Sequence, residues 1–335
     1  MSKAGYLLKR LRRMDYNRMW STLDVLQQRS GKGRALLMLD MMRCGVRYNA
    51  GYMDYMIAEM YRLSHAQRKT VITRGINNQI VRRMNDKAYW HSFDDKAEFN
   101  RVFGKWVPRA WMRTDAQTDL EELFAFLNGK QAVFLKPIEG SSGVGVIKYT
   151  PADWANADAF LRAVRAAGPS VLEDCVVQHE RMNALNPGSV NTVRIATLIG
   201  DKQQGIVYAF LRIGNGKVMD NVDCGGMAAR VDLDSGRLLT VAADKLGHVF
   251  THHPITNTPI IGFELPHFEQ AKDMCLEAMR MVPQLRYVAW YVALTPDGPT
   301  MIEGNSFPSH AVPQFAAHYP DGIGILPEFQ RFIDT

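Results

Sequence analysis

Lys136 stands at the end of an apolar run, Val133-Phe134-Leu135, and is followed by Gly140-Ser141-Ser142-Gly143-Val144-Gly145. Glycines let a backbone approach an anion closely, and successive N–H groups in such a loop point at phosphate oxygens. A lysine beside the loop adds a compact positive charge. No Gly-Lys-Ser/Thr follows the loop and no helical pattern opens there, which excludes the Walker arrangement. The pattern is that of a strand-loop-strand lid over phosphates. A plain hairpin with a glycine-serine turn has the same signature.

Four downstream groups carry compatible chemistry. Glu173-Asp174-Cys175-Val176 is an extended segment whose backbone can offer a carbonyl and an N–H to a purine edge, with Glu180 placed to accept from ribose hydroxyls; a strand end with surface acids reads the same way. Asn191 and Arg194 bracket a turn-to-strand transition, where an arginine fork suits phosphoryl or carboxylate oxygens, or a structural acid. Asn221, Gly225 and Gly226 form a polar turn with paired glycines, fitting close passage of a substrate or a simple β-bulge. Glu303 and Asn305 are two residues apart, so in a strand they share a face and supply two hard oxygen donors for Mg2+; polar residues on a solvated sheet face are the alternative. The Thr295-Pro296-Asp297-Gly298 turn, if flanked by Thr295 and Pro299, sets Tyr291 opposite Glu303.

The elements that must position these residues fall into two textures. Residues 1–84 read as helices: Leu7, Leu8, Leu11 and Met14 form an apolar stripe between basic residues, Ser30 to Gly33 is a break, and Leu36–Cys44 and Tyr52–Leu63 continue helically. Asp94 to Glu98 begins a capped helix that Val107-Pro108 stops, and Thr118–Leu127 is another short helix. No strand pattern is visible before Ala132. From there strands are expected at Val133–Lys136, Val144–Tyr149, Val171–Gln178, Val193–Ile199 and Gly205–Ile213, with helices at Ala152–Ala167 and Phe268–Met281. That order implies an α+β fold.

The chain has 335 residues, 47% apolar and 22% charged, enough for a sizeable core and about two domains. No apolar run is long enough to span a membrane and no signal peptide is apparent. Cys44, Cys175, Cys224 and Cys275 show no CxxC spacing and read as reduced cytoplasmic thiols. The net charge of +6 conceals an asymmetry: residues 1–84 carry 17 Lys/Arg against 5 Asp/Glu. The basic residues are dispersed through helical pattern, so a solvated face is the plainer reading and weak contact of the N-terminus with an anionic membrane the other; no nucleic-acid partner is expected.

Taken together, Asp95-Lys96, Phe134 to Pro137 with the glycine loop, Glu173 to His179, Asn186 to Arg194, Asn221 to Gly226 and Glu303-Gly304-Asn305 resemble the sugar-transfer-associated branch of the ATP-grasp superfamily, related to α-L-glutamate ligase-like proteins. Asp54-Tyr55 and Ile72-Thr73-Arg74 extend the resemblance into the helical front. It implies an ATP-grasp fold over residues 91–335 behind a basic helical region of residues 1–90, with lid and adenine-binding half at 131–180 and metal-binding half at 181–335. It implies an ATP- and Mg2+-dependent ligase that joins a carboxylate to an amine through an acyl phosphate, on small-molecule, sugar-derived or peptide-like substrates. Lys136 and Lys96 would contact nucleotide phosphates under residues 140–146, with Gly140, Ser141, Ser142, Gly143 and Gly145 closing over them. Glu173 to Val176 would hold adenine and Glu180 ribose. Arg194 would stabilise the transferred phosphoryl group, Glu303 and Asn305 would hold metal, and Asn191, Asn221, Gly225 and Gly226 would meet substrate. One departure stands out: the family usually has an acid directly after the tryptophan, and this chain has Tyr291 after Trp290. A phenol is a poor Mg2+ ligand beside a carboxylate. Either one metal is lost, another acid such as Asp223 substitutes, or the protein binds ATP with impaired catalysis in a regulatory or membrane-surface role.

Overall fold

In the computed structural model, residues 15–140, 143–216 and 220–334 are described. The expected stripe of Leu7, Leu8, Leu11 and Met14 lies outside them, as do Ser141 and Ser142. The front is helical. Helix α1 (Tyr16–Ser30) starts where the Asp15 carboxylate accepts the N–H of Arg18 and stops at Gly31, whose φ of 66° reverses the chain. Helix α2 (Arg34–Tyr48) follows after three residues and packs on α1. The helix expected over Tyr52–Leu63 is split: it ends at Ile57, and Glu59, at φ 44°, redirects the chain into a single 3-10 turn.

Two antiparallel sheets follow. The smaller has strand order β1-β4-β2-β3, with β1 Trp111–Thr114, β2 Val133–Pro137, β3 Ile147–Tyr149 and β4 Ser170–Asp174. The larger runs β11-β10-β5-β6-β7-β8-β9 and is built on β5 (Thr192–Ile199), β6 (Gln204–Ile213), β10 (Tyr287–Thr295) and β11 (Gly298–Asn305), with the short β7 (Met227–Arg230), β8 (Ala242–Ala243) and β9 (Val249–Phe250) at one edge. Helices α4 (Leu120–Leu127) and α5 (Ala157–Ala166) cover one face of the smaller sheet through Leu123, Phe160 and Val164. That leaves Phe134, Lys136 and Glu173 on the other face, since alternate residues point to opposite sides. Helix α3 (Lys96–Val102) is capped by the Asp95 carboxylate, which accepts from Ala97 and Glu98 N–H groups.

The larger sheet is buried on both faces, and its alternation sorts them. Val288, Trp290 and Val292 point to a core shared with Phe93, Phe99, Phe103 and helix α7 (Phe268–Ala278). Tyr287 and Ala289 point to the opposite core, which they share with Leu23, Leu26, Leu37 and Tyr55 of the helical front. Front and sheet therefore share one core. Beyond the front's reach the same sheet face carries Arg194, Arg212, Tyr291 and Glu303, and there it is open.

Several boundaries differ from expectation for physical reasons. Strand β1 precedes Ala132; its four residues make no visible run and owe their conformation to pairing with β4. Strand β3 starts at Ile147, because Gly143 and Gly145 hold positive φ before it, and a side chain at Gly145 would meet Pro137 at 2.8 Å. Strand β4 stops at Asp174, short of Gln178, where it runs out of partners. Helix α5 begins five residues later than expected, at the Asn156 cap. Helix α3 gives way to a 3-10 turn (Gly104–Trp106) before Pro108.

His318 is 1% exposed, bonds through Nε2 to Ala228 O at 2.9 Å, and is pushed down by burial from 6.5 to about 4. In the folded chain the ring thus stays neutral to lower pH than in the unfolded chain. The unfolded state binds the extra proton, so stability is complete above pH ~6.5 and falls until pH ~4. The expected loss is on the order of 3 kcal/mol, at ~1.4 kcal/mol per unit. Urea titrations at both ends of that window should show a smaller loss in His318→Gln; equal losses would count against the assignment.

Candidate active site

A cleft of about 640 Å³ lies between the open faces of the two sheets. Its first wall carries a buried charge cluster. Glu173, 3% exposed, is paired with Lys136 Nζ through Oε1, and its Oε2 lies 3.1 Å from Arg109 Nε. Burial alone would raise the Glu173 pKa, but the Lys136 ammonium and Arg109 guanidinium outweigh it and hold the carboxyl below its usual range. Arg109 also donates to the carbonyls of Met301 (2.6 Å) and Ile302 (3.2 Å) on β11, so it bridges the two sheets. Lys96 Nζ donates to Pro137 O (2.9 Å) and Gly140 O (3.1 Å), fixing the start of the glycine loop; burial lowers its pKa, with Lys136 adding to that and Glu303 opposing it.

Past Asp174 the chain stays extended without a strand partner. Among the described residues, no backbone hydrogen bond uses the N–H of Cys175 or Val176, and both residues line the cleft. The Glu173 side chain is committed to its ion pairs, and Asp174 pairs with Lys130 at 2.6 Å. What faces a ligand here is backbone.

The second wall is a cross-strand series. Register pairs Phe210 with Arg194, Arg194 with Tyr291, and Tyr291 with Glu303. Thr295 pairs with Gly298, one residue short of the expected Pro299. A bulge between Tyr291 and Val292 restores the register, so Tyr291 still meets Glu303. Arg194, 4% exposed, donates through Nη1 to the Tyr291 hydroxyl and lies 4.6 Å from that ring's centre; Arg212 lies 5.0 Å from the same ring. Arg194 Nε and Nη2 have no hydrogen-bond partner among the described residues. Arg212 pairs with Asp220 at 2.8 Å, and Asp220 also accepts from Thr192 N–H and hydroxyl. Burial raises the Asp220 pKa against the pull of Arg212 and Thr192.

The expected residues do not all converge. Lys96, Lys136, Gly140, Gly143, Glu173 to Val176, Arg194, Asn221, Glu303 and Asn305 line the cleft. Glu180 is exposed at the start of helix α6 (Glu180–Leu185) and is not among the lining residues. Asn191 is also absent from the lining. Its side chain is fully buried, donating to Gln178 Oε1, Met182 O and Asn186 O while accepting from Gly214 N–H. Asn191 braces the turns around the wall. Gly225 and Gly226 lie outside the lining too, and a side chain at Gly226 would meet Asp220 O at 2.4 Å; the glycines allow the chain to pack against Asp220. The Asn221 side chain accepts the N–H of Asp223, and Asp223 is ion-paired with Lys245. Arg109, Arg212 and Asp220 escaped the sequence reading. Arg212 had a signal, a lone charge at an inward position of an apolar strand; Arg109 had none.

Glu303 enters no ion pair among the described residues, and Asn305 Oδ1 accepts only the N–H of Phe307. No group of three or more His, Cys, Asp or Glu side chains suited to a metal occurs among the described residues. One free carboxylate and one amide oxygen on a common face fit a hard cation whose remaining ligands are phosphate and water.

The sequence model of the sugar-transfer associated ATP-grasp family matches residues 160–330, about half of the chain. The chain belongs to that family. The match takes in Arg194, Glu303 and Asn305, while Lys96, Lys136 and the glycine loop lie before it. No curated protein matches the sequence. Among solved structures, this ATP-grasp protein is similar to the ligase PsnB complexed with minimal precursor (13% identity, TM-score 0.42, covering 73% of this chain and 64% of that one). It is similar to D-cycloserine synthetase DcsG (12%, 0.44, 77% and 76%) and to VanG D-Ala:D-Ser ligase from Enterococcus faecalis (11%, 0.43, 71% and 60%). A second PsnB complex, with a phosphomimetic precursor variant, Mg and ADP, is matched over 53% of its length. The α+β architecture is read from the chain's own two sheets and helical front.

Proposed function

We propose that this ATP-grasp protein is an ATP- and Mg2+-dependent ligase that joins a carboxylate to an amine, releasing ADP and phosphate, with a small-molecule, sugar-derived or peptide-like acid. The observation that carries the reading is Arg194, a buried guanidinium in the cleft wall with two nitrogens, Nε and Nη2, left without partners among the described residues. A buried cation so placed is matched by an anion the ligand brings. Residues 1–90 act as the helical front and 91–335 as the catalytic body, with the adenine half at 131–180 and the metal half at 181–335. The cytoplasm, where ATP is at hand, is the expected location.

ATP is held with its adenine edge against the free backbone of Cys175 and Val176 and its phosphates under residues 140–146. Glu303 and Asn305 would hold Mg2+, which when bound would offset charge on the phosphates. A carboxylate oxygen of the acid attacks the γ-phosphorus, and the bond to the ADP oxygen breaks. Arg194 donates to the oxygens of the moving phosphoryl group while Lys136 supplies charge from the other wall. The glycine loop keeps water from the acyl phosphate. The amine then attacks the acyl carbon, phosphate leaves, and the amine gives up a proton.

Turnover with candidate acids should release ADP and never AMP, and hydroxylamine should trap the activated acid as a hydroxamate. AMP with pyrophosphate would identify an adenylating enzyme instead. Lys136→Ala is expected to weaken nucleotide binding or turnover at least ~10-fold, about 1.4 kcal/mol. A variant unchanged in both would remove the loop from the site.

A second reading rests on Tyr291. With a phenol beside Glu303, the metal site has a single carboxylate, which suits a protein that binds ATP and turns it over slowly. Tyr291→Asp then raises metal occupancy in an ATP-analogue complex. Two fully occupied Mg2+ sites in the unchanged protein would refute the reduced-metal view.

A further inference from the structure

Helix α2 is apolar on two opposite sides. Leu37, Met41, Cys44 and Tyr48 are buried against the body, while Leu36, Leu39, Met42 and Val46 are 66%, 64%, 61% and 69% exposed. At about 3.6 residues per turn, the second set forms a stripe opposite the first, at the helix's solvent pole. A surface helix ordinarily places polar residues there, and a row of four large aliphatic side chains marks a contact surface. The neighbouring helix α1 adds Trp20 and Tyr16, 52% and 47% exposed.

The charges around the stripe narrow its partner. Arg43 and Arg47 border it and are exposed. The only acid on the helix, Asp40, is held first by both terminal nitrogens of Arg68 at 2.7 Å, and its pull on Arg43 ranks behind that pairing. A second copy of this chain docking by the same face would bring these arginines together. The first fourteen residues carry Lys3, Lys9, Arg10, Arg12 and Arg13 with no acid, and meet the same repulsion. An anionic surface meets none. A single convex helix with protruding aliphatic side chains and nearby tryptophan and tyrosine suits the headgroup boundary of a bilayer, where aromatic rings favour the interface and basic residues the anionic lipids.

We propose that the outer face of α2, Leu36, Leu39, Met42 and Val46 with Arg43 and Arg47, docks this protein on an anionic lipid bilayer. The proposal is independent of the reaction in the cleft, and either stands if the other falls.

The test is sedimentation of the full chain with phosphatidylcholine vesicles containing phosphatidylglycerol and with vesicles of phosphatidylcholine alone. Binding is expected only to the first, weakening as salt rises. Leu39→Glu with Val46→Glu should reduce it about tenfold or more, while thermal unfolding and ATP turnover stay unchanged, since both side chains are exposed and remote from the cleft lining. Absence of pelleting, or pelleting insensitive to this double variant, overturns the proposal. Loss with Leu8→Glu and Leu11→Glu but not with the α2 variant assigns the contact to the N-terminal segment and also overturns it. A dimer in velocity sedimentation that the α2 variant dissociates assigns the face to a second copy instead.

Discussion

Arg194→Met is expected to slow ADP formation in a single turnover by about 10²–10³, the range for removing one preorganised donor from a developing oxyanion. Nucleotide affinity should change far less, because the contact strengthens as charge develops on the moving phosphoryl group. Methionine keeps most of the volume of the side chain, whose guanidinium carbon lies 5.9 Å from the Phe210 ring centre and 4.6 Å from that of Tyr291, so the wall should survive. Arg194→Lys should recover only part of the rate: an ammonium brings charge but not the rigid planar fork whose Nη1 holds the Tyr291 hydroxyl while Nε and Nη2 stay without partners. Rapid-quench measurement of ADP beside a fluorescent-nucleotide Kd separates the two effects. A rate within about threefold of the unchanged protein would remove Arg194 from the chemistry.

Glu173→Gln is expected to cost the fold about 3–5 kcal/mol, the usual consequence of removing one partner from a buried ion pair. The amide leaves Lys136 and Arg109 facing each other's charge without the carboxylate that holds both. Arg109 keeps its carbonyl partners and Lys136 does not, so Lys136 should account for most of the loss. Urea unfolding should show the midpoint fall with the slope unchanged. A loss below about 1 kcal/mol would mean that water already shares the cluster.

How far the sequence could be read follows from how local each signal is. The hairpin of β2 and β3, the hairpin that sets Tyr291 against Glu303, and the helical front are each specified by neighbours in the chain, through glycine conformations, turn chemistry and apolar period. Glu303 and Asn305 share a face of β11 as expected because two residues of spacing suffice to put them there. Asn191, Gly225 and Gly226 were assigned to substrate because polar turns and paired glycines look alike whether they face a ligand or another loop. Only packing distinguishes them: Asn191 is consumed by Gln178, Met182 and Asn186, and Gly226 by the carbonyl of Asp220. Arg109 was invisible for the same reason in reverse, since its partners lie 64 and more than 190 residues away.

Arg109 also constrains how the two sheets can move. Its guanidinium touches Glu173 on one sheet and the Met301 and Ile302 carbonyls on the other, so it acts as a clasp across the back of the cleft. Swinging the small sheet away would strip a buried cation of contacts on one side. Rigid-body gaping is therefore the costly motion: the two sheets stay latched on the side where Arg109 sits.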